Sequence, residues 1–148
     1  MTGLSVQRQS VRGFTLIELV VVITILGILS AFAVPRFIAL QSRARASSIE
    51  SLQGALRSAS ALTHSMWLVS GSPGAVAMEG VSITMTNGFP SYADIDDTLL
   101  DSSGFPYDST TGTFTRAGAN DPTQCFVSYT PPATLGDPPS IMWQTNGC

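Results

Sequence analysis

Two hydrophobic patterns run back to back along the first half of the chain. From Phe14 to Val34, 21 residues carry a single charge, Glu18. As a helix this stretch spans roughly 32 Å, and a bilayer hydrocarbon core is about 30 Å thick. It is apolar all round, without the polar face of a soluble surface helix. After Pro35 the pattern turns amphipathic. Ile49, Leu52, Leu56, Ala59, Leu62, Met66 and Val69 recur every three or four residues, the spacing of one helix face. Arg43, Arg45, Ser48, Glu50, Gln53, Arg57 and Ser58 fall mostly elsewhere. The two patterns predict one helix over about Phe14–Val69, roughly 84 Å long. Its second half is expected to lie on a soluble domain. Its first half is expected to project, and needs lipid or other copies of itself.

A cluster of breakers, Ser70-Gly71-Ser72-Pro73-Gly74, ends that helix. Val81-Ser82-Ile83-Thr84-Met85-Thr86 then alternates like a strand, and Asn87-Gly88-Phe89-Pro90 reads as a turn. Asp94 to Leu100 reads as a short helix, with Asp94 as its cap and Leu99-Leu100 turned inward. Further strands are expected at Gly112–Arg116, Cys125–Tyr129 and Ser140–Gln144. Pro131-Pro132 and Asp137-Pro138-Pro139 bracket an exposed loop. Strands joined by short turns, with no useful helix between them, predict an antiparallel sheet, hence an α+β fold. The sheet's apolar face should meet the amphipathic helix face.

Composition narrows the chemistry. The 148 residues have a charged fraction of 11%, no lysine, seven arginines and ten acids. An acidic, lysine-free surface argues against nucleic acid as a primary partner. No zinc spacing, phosphate-binding glycine loop or dinucleotide fingerprint occurs, so no cofactor is expected. His64, the one histidine, would need a free thiol beside it to form a nucleophile pair, and reads instead as an ordinary polar residue at the edge of the helix–sheet contact. Asp94, Asp96, Asp97 and Asp101 lack the order and the glycine of a calcium loop, and read as a solvated, capping set. Trp67, Phe89, Tyr92, Tyr107, Tyr129 and Trp143 are mostly core candidates, with one or two in the C-terminal loops open to contact with a surface or a sugar.

Glu18 is the odd residue. An ionised carboxylate inside an apolar span is costly by several kcal/mol and demands a partner. Thr15-x-x-Glu18 fits a capping box, in which Glu18 satisfies free N–H groups at a helix start. A second reading pairs it with a charge from outside the helix, because a paired buried charge costs less than a lone one. The residues before the span matter here. Met1–Gly13 is a short polar leader with Arg8 and Arg12, and its small residue precedes the apolar run, whereas an ordinary secretory signal puts small residues after it.

Arg12-Gly13-Phe14-Thr15-Leu16-Ile17-Glu18-Leu19 resembles the leader junction of type IV prepilins. The resemblance implies a leader at residues 1–13, cut after Gly13 by a prepilin peptidase that also methylates the amine of Phe14. Residues 14–35 would be the membrane-spanning and filament-core helix, 36–70 the amphipathic helix of the globular domain, and 71–148 the antiparallel sheet. Phe14, Glu18, Gly27 and Pro35 would serve assembly. Glu18 would face the amine of Phe14 on a neighbouring subunit, and Gly27 and Pro35 stand where the family has a loosening glycine and a kinking proline. The subunit would wait in the inner membrane of a Gram-negative bacterium. It would then join a helical homopolymer on the cell surface, built by an inner-membrane platform and cytoplasmic ATPases. Such a protein is structural and not an enzyme.

Cys125 and Cys148, with 22 residues between them, then read as a disulfide of an exported protein; two buried free thiols are the alternative. A C-terminal disulfide around a variable loop resembles the pattern of type IV pilins. Ala61-Leu62-Thr63-His64-Ser65, Asn87-Gly88-Phe89-Pro90 and Gly147-Cys148 resemble the pilin of the mannose-sensitive hemagglutinin kind, although a tyrosine is usual there where Phe89 stands. Two rivals stand beside it. One is a pseudopilin of type II secretion, which shares the N-terminal motif. The other is a membrane-anchored enzyme or binding module, which would keep Met1–Gly13.

Overall fold

A computed structural model gives the fold and describes residues 13–148. Apart from Gly13, the expected leader lies outside the described residues. The chain divides between Ala39 and Leu40 into two units. One α-helix, α1 (Leu16–Val69), runs through that boundary with Pro35 inside it. Proline carries no N–H, so the Ala31 carbonyl loses its usual helical partner. In the first unit every described residue is exposed.

The second unit is built on Leu40–Val69 of α1. Its buried face is Ile49, Leu52, Leu56, Ala59, Ser60 and Thr63. The expected continuation through Leu62, Met66 and Val69 does not hold: all three are exposed. At about 100° per residue, Leu62, Met66 and Val69 sit roughly 140°, 100° and 160° around the helix from Ile49, while Trp67 returns to the Ile49 line. Spacings of three and four drift off a face when two threes are not balanced by fours. The small residues Ser60 and Thr63 hold the stripe because the true face needs close approach there, and the Thr63 hydroxyl returns its proton to the Ala59 carbonyl at 2.9 Å.

Two antiparallel sheets cover this face, not one. The first has the order β1 (Ala75–Met78), β2 (Val81–Thr86), β3 (Phe89–Pro90). The second has the order β4 (Tyr107–Asp108), β5 (Thr113–Thr115), β6 (Phe126–Thr130), β7 (Ser140–Gln144). The first sheet comes from two tight hairpins. Met78 pairs with Val81 across Glu79-Gly80, and Thr86 pairs with Phe89 across Asn87-Gly88. All four turn residues have positive φ, the two-residue hairpin geometry that asparagine and glycine favour. The expected turn at Asn87–Pro90 is therefore half turn and half strand. Gly88 has a second constraint, since a Cβ there would press on the Trp67 and His64 rings.

The expected helix over Asp94–Leu100 shrinks to one 3-10 turn, Asp96–Thr98. Asp94 does not cap it. Its Oδ2 accepts from the Thr84 N–H at 2.7 Å and from the Ser91 hydroxyl at 3.4 Å, tying the segment to β2. Ile95 is buried in the core, Leu99 is half-buried, and Leu100 is 93% exposed, so the inward turn of Leu100 is overturned. Pro131 and Pro132 are buried, and the exposed loop is 133–138.

The core joins Ile49, Leu52 and Leu56 of the helix to Ile95, Phe114, Val127, Tyr129 and the Cys125–Cys148 pair. Alternation along β6 puts Val127 and Tyr129 inward. Three polar contacts bind the two sheets. The buried Tyr129 hydroxyl donates to the Pro90 carbonyl at 2.8 Å, the Tyr107 hydroxyl donates to the Tyr92 carbonyl, and Asn87 Nδ2 donates to the Pro132 carbonyl at 2.8 Å. Of the six aromatic core candidates, Tyr129 is fully buried; Trp143 is exposed and the others are half-buried.

Burial, before any neighbouring charge, pushes both the Tyr129 and the Tyr107 phenols above the usual tyrosine range. The fold keeps the neutral, donating phenol. That contribution is complete below about pH 10, the unfolded tyrosine value, and is lost as pH rises through the folded values. Thermal unfolding of the detergent-held full chain, followed by circular dichroism, should show a midpoint that falls above about pH 10. Tyr129→Phe should destabilise by about 1–3 kcal/mol at neutral pH, because it leaves the Pro90 carbonyl unpaired, and should flatten the alkaline fall.

Candidate functional site: the helix start and the disulfide loop

Thr15 is the residue immediately before α1, and Glu18 lies in its first turn. Their contacts are reciprocal. Glu18 Oε2 accepts from the Thr15 backbone N–H at 2.8 Å and from its hydroxyl at 2.6 Å. The Thr15 hydroxyl oxygen accepts from the Glu18 N–H at 3.3 Å. This is a capping box, with a carboxylate at the positive end of the helix dipole. Both bonds fall on Oε2; among the described residues Oε1 has none. Around Glu18 stand Phe14, Ile17, Val21 and Val22. Phe14 is 78% exposed.

Gly27 borders open space, so nothing inside the chain requires a glycine there. In mid-helix it costs about 1 kcal/mol relative to alanine. Among the described residues α1 is the one helix long and apolar enough to cross a membrane. Gly13, Phe14, Glu18, Gly27 and Pro35 are thus strung along one element and not gathered into a pocket.

The second candidate region is covalent. Cys125 and Cys148 form a disulfide, with Cα atoms 4.9 Å apart and both residues buried. The chain around it is clasped twice. The Asp121 N–H donates to the Gly147 carbonyl and the Gly147 N–H donates to the Gln124 carbonyl, each at 2.9 Å. A Cβ on Gly147 would collide with the Asp121 carbonyl and the Gln124 side chain. Asp121 also caps the 3-10 turn Pro122–Gln124, accepting from the Thr123 N–H at 2.9 Å. From the helix, Arg45 Nη1 donates to the Cys148 carbonyl at 3.0 Å and to Asn120 Oδ1 at 3.3 Å. Periodicity places Arg45 on the polar face only, and its use as a clasp has no signal in the sequence.

The other candidates find structural work. His64 Nδ1 lies 2.7 Å from the Gly88 carbonyl, and its ring stacks on Phe89 at 4.3 Å and on Trp67 at 5.6 Å. The contact fits the Nδ1–H tautomer as donor. No thiol is near enough in chemistry to serve as its nucleophile, since both cysteines are in the disulfide. Asp101 accepts from the Ser103 N–H, and that bond holds its carboxyl below the usual range. Among the described residues no three acidic, histidine or cysteine side chains are placed to hold a metal ion.

Removal of the disulfide by Cys125→Ser with Cys148→Ser should cost about 3–3.5 kcal/mol on the chain-entropy account of a closed loop. Arg45→Ala should cost about 1 kcal/mol and should raise deuterium uptake at Thr145–Cys148 while the core of β6 stays protected. Unchanged exchange at the C-terminal residues would remove Arg45 from the clasp.

Three kinds of comparison bear on these regions. Residues 8–34 match the prokaryotic N-terminal methylation motif. The chain is 51% identical over 51 residues to a type IV narrow pilus major component of Thermus thermophilus, a match covering 34% of this chain and 44% of that protein. It is 58% identical over 36 residues to a type IV major pilin protein of Myxococcus xanthus, covering 24% of this chain and 16% of the relative. The chain thus spans less than half the length of either relative. No solved structure matches it. Both relatives are by name major subunits of type IV pili, but the motif and the two matches each cover only part of this chain, and they single out no particular kind of pilus.

Proposed function

We propose that this chain is a structural subunit of a type IV pilus, of the mannose-sensitive hemagglutinin kind, that polymerises through its N-terminal helix into a surface filament for attachment. The observation that carries the proposal is the helix start: a methylation motif over residues 8–34 leading into a helix whose apolar surface is exposed on every side. Such a surface has no use in water. It fits lipid first and copies of itself afterwards.

In this reading a prepilin peptidase removes residues 1–13 and methylates Phe14. Residues 14–35 hold the precursor in the inner membrane of a Gram-negative bacterium and later form the filament core. Residues 36–70 carry the globular domain, and 71–148 complete it. An assembly platform and ATPases draw the subunit out of the membrane. Glu18 faces the methylated amine of Phe14 on a neighbour. Gly27 and Pro35 weaken the helix where it must adapt. The Cys125–Cys148 loop supports the pilin reading over the pseudopilin one, since a C-terminal disulfide is the pilin pattern by resemblance.

Two measurements test the reading. Intact mass spectrometry of fibres sheared from producing cells should give a species beginning at Phe14, heavier by one methyl group and lighter by two hydrogens. Retention of Met1–Gly13 in membrane-bound material would return the anchored-module alternative. The second separates the two roles of Glu18. Glu18→Gln keeps a capping-box side chain but removes the charge. It should leave cleavage and helix content intact and lower fibre yield by at least tenfold, as loss of a buried charge pair costs about 3–5 kcal/mol. Wild-type yield from that variant would reduce Glu18 to a helix cap.

A further inference from the structure

In the second unit, β3 and β7 leave a cleft of about 320 Å³ between them, over the helix. Phe89, Pro138, Pro139 and Ile141 supply apolar walls, and Arg57 stands at its rim. The guanidinium lies 6.0 Å from the centre of the Trp143 ring, a long cation–π distance. With the Gln53 amide oxygen turned towards it, that oxygen accepts from Nε at 2.6 Å and from Nη2 at 2.9 Å. These neutral partners orient Arg57 without cancelling its charge. Among the described residues no carboxylate lies within ion-pair distance of it. By contrast Arg45 and Arg116 are both committed to backbone carbonyls, those of Cys148 and Gly104. An oriented, uncompensated cation beside an apolar cleft calls for a ligand with one carboxylate and one aliphatic group.

The chain carries such a ligand on another surface. Leu100 is 93% exposed and lies between Asp97 and Asp101, both exposed. Nothing among the described residues covers this leucine. The acids crowd one another: Asp96 is held above the usual carboxylate range, first by partial burial and next by the Asp97 charge. A cation brought in from outside would relieve the second effect. The cleft and the acidic segment share no residue.

We propose that the cleft of Arg57, Phe89, Pro138, Pro139 and Ile141 receives the Asp97–Asp101 segment of a second copy of this chain, with Leu100 between the prolines and the Asp97 or Asp101 carboxylate on Arg57. The contact is heterologous, because two different patches meet. Contacts of that type generate open helical arrays when the rotation does not close. The inference deepens the pilus reading and rests on it for the filament, but the contact itself stands on the two patches. It gives the oriented guanidinium of Arg57 a counter-charge.

The test is site-specific photo-cross-linking in producing cells of the full chain, with a benzophenone amino acid in place of Leu100. Peptide mass spectrometry should join position 100 to Arg57–Ala61 or to Pro138–Ile141 of a second copy. Arg57→Glu should lower this cross-link roughly tenfold, as close charge pairs across interfaces are coupled by more than 1.4 kcal/mol. Asp97→Arg with Asp101→Arg should lower it similarly, and the three substitutions together should restore it. A near-ultraviolet circular dichroism spectrum like that of the parent confirms that each variant is folded. Cross-links to any other surface, no cross-link at all, or a yield indifferent to Arg57→Glu would overturn the contact. Fibres without this cross-link leave the pilus reading standing and remove the contact. The cross-link without fibres does the reverse.

Discussion

The constraint on which everything else depends is apolar surface that a single chain does not cover. From Gly13 to Gln41 each residue is exposed, and most are valine, isoleucine, leucine, alanine or phenylalanine. Burial of such surface is worth about 25 cal/mol per Å², so exposure to water of a whole helix circumference is not sustainable. No rotation of the helix helps, because there is no polar face to turn outward. A surface of that kind selects its surroundings. Hydrocarbon satisfies it, and so does a bundle of identical helices. The same residues that make the element apolar also make it regular, since each backbone group inside a membrane must be satisfied within the helix. Pro35 and Gly27 are the exceptions, and both weaken the helix in a stretch where strength would be easy to come by.

The second unit solves the opposite problem. Its helix has one face to bury, and two small sheets do it. The two-residue hairpins Glu79-Gly80 and Asn87-Gly88 make the first sheet compact enough to sit on Thr63, His64 and Trp67. The four-stranded sheet covers Ile49, Leu52 and Leu56. Neither sheet holds the other by apolar packing alone. The Tyr129 hydroxyl, carried in from β6 to the Pro90 carbonyl at the end of β3, is buried and so is costly to leave unmade. The disulfide and the Arg45 clasp then fix the last residues, which otherwise fray.

Strong periodicity was legible, and tight geometry was not. The long helix, the α+β class, β2 and β7 could be read directly, because each depends on many residues that agree. Several things escaped. The helix face beyond Ala59 was misread because Leu62, Met66 and Val69 are apolar at helical spacing, while the residues that do pack, Ser60 and Thr63, are polar. β3 escaped because its two residues include a proline, which ordinarily argues against a strand; at the end of an edge strand its missing N–H costs nothing. β1, with its turn Glu79-Gly80, lacks the asparagine signal that marks Asn87-Gly88. The disulfide was open to reading from two cysteines in a chain expected to be exported. The clasp of Arg45 and Gly147 around it was not, since it depends on where a loop meets a helix 103 residues away. For the helix start the motif was plain in the residues, and the capping box was one of two readings set out for Glu18.

Those two readings need not compete. A carboxylate in hydrocarbon must be neutralised, paired or hydrogen-bonded. In the single chain the capping box supplies bonds to one oxygen, Oε2, from the two donors of Thr15. It also places the charge at the positive end of the helix dipole, within the first turn where that effect acts. The other oxygen is left without a bond among the described residues, and the residues around Glu18 are Phe14, Ile17, Val21 and Val22, which attract hydrocarbon and not water. A partly satisfied carboxylate of this sort is tolerable in a monomer and still gains from a cation. The gain is largest where water is excluded, because a buried pair is screened least. In the proposed filament the cap would therefore make the waiting state affordable, while the free oxygen would make the assembled state better. A residue with only the first role could be glutamine.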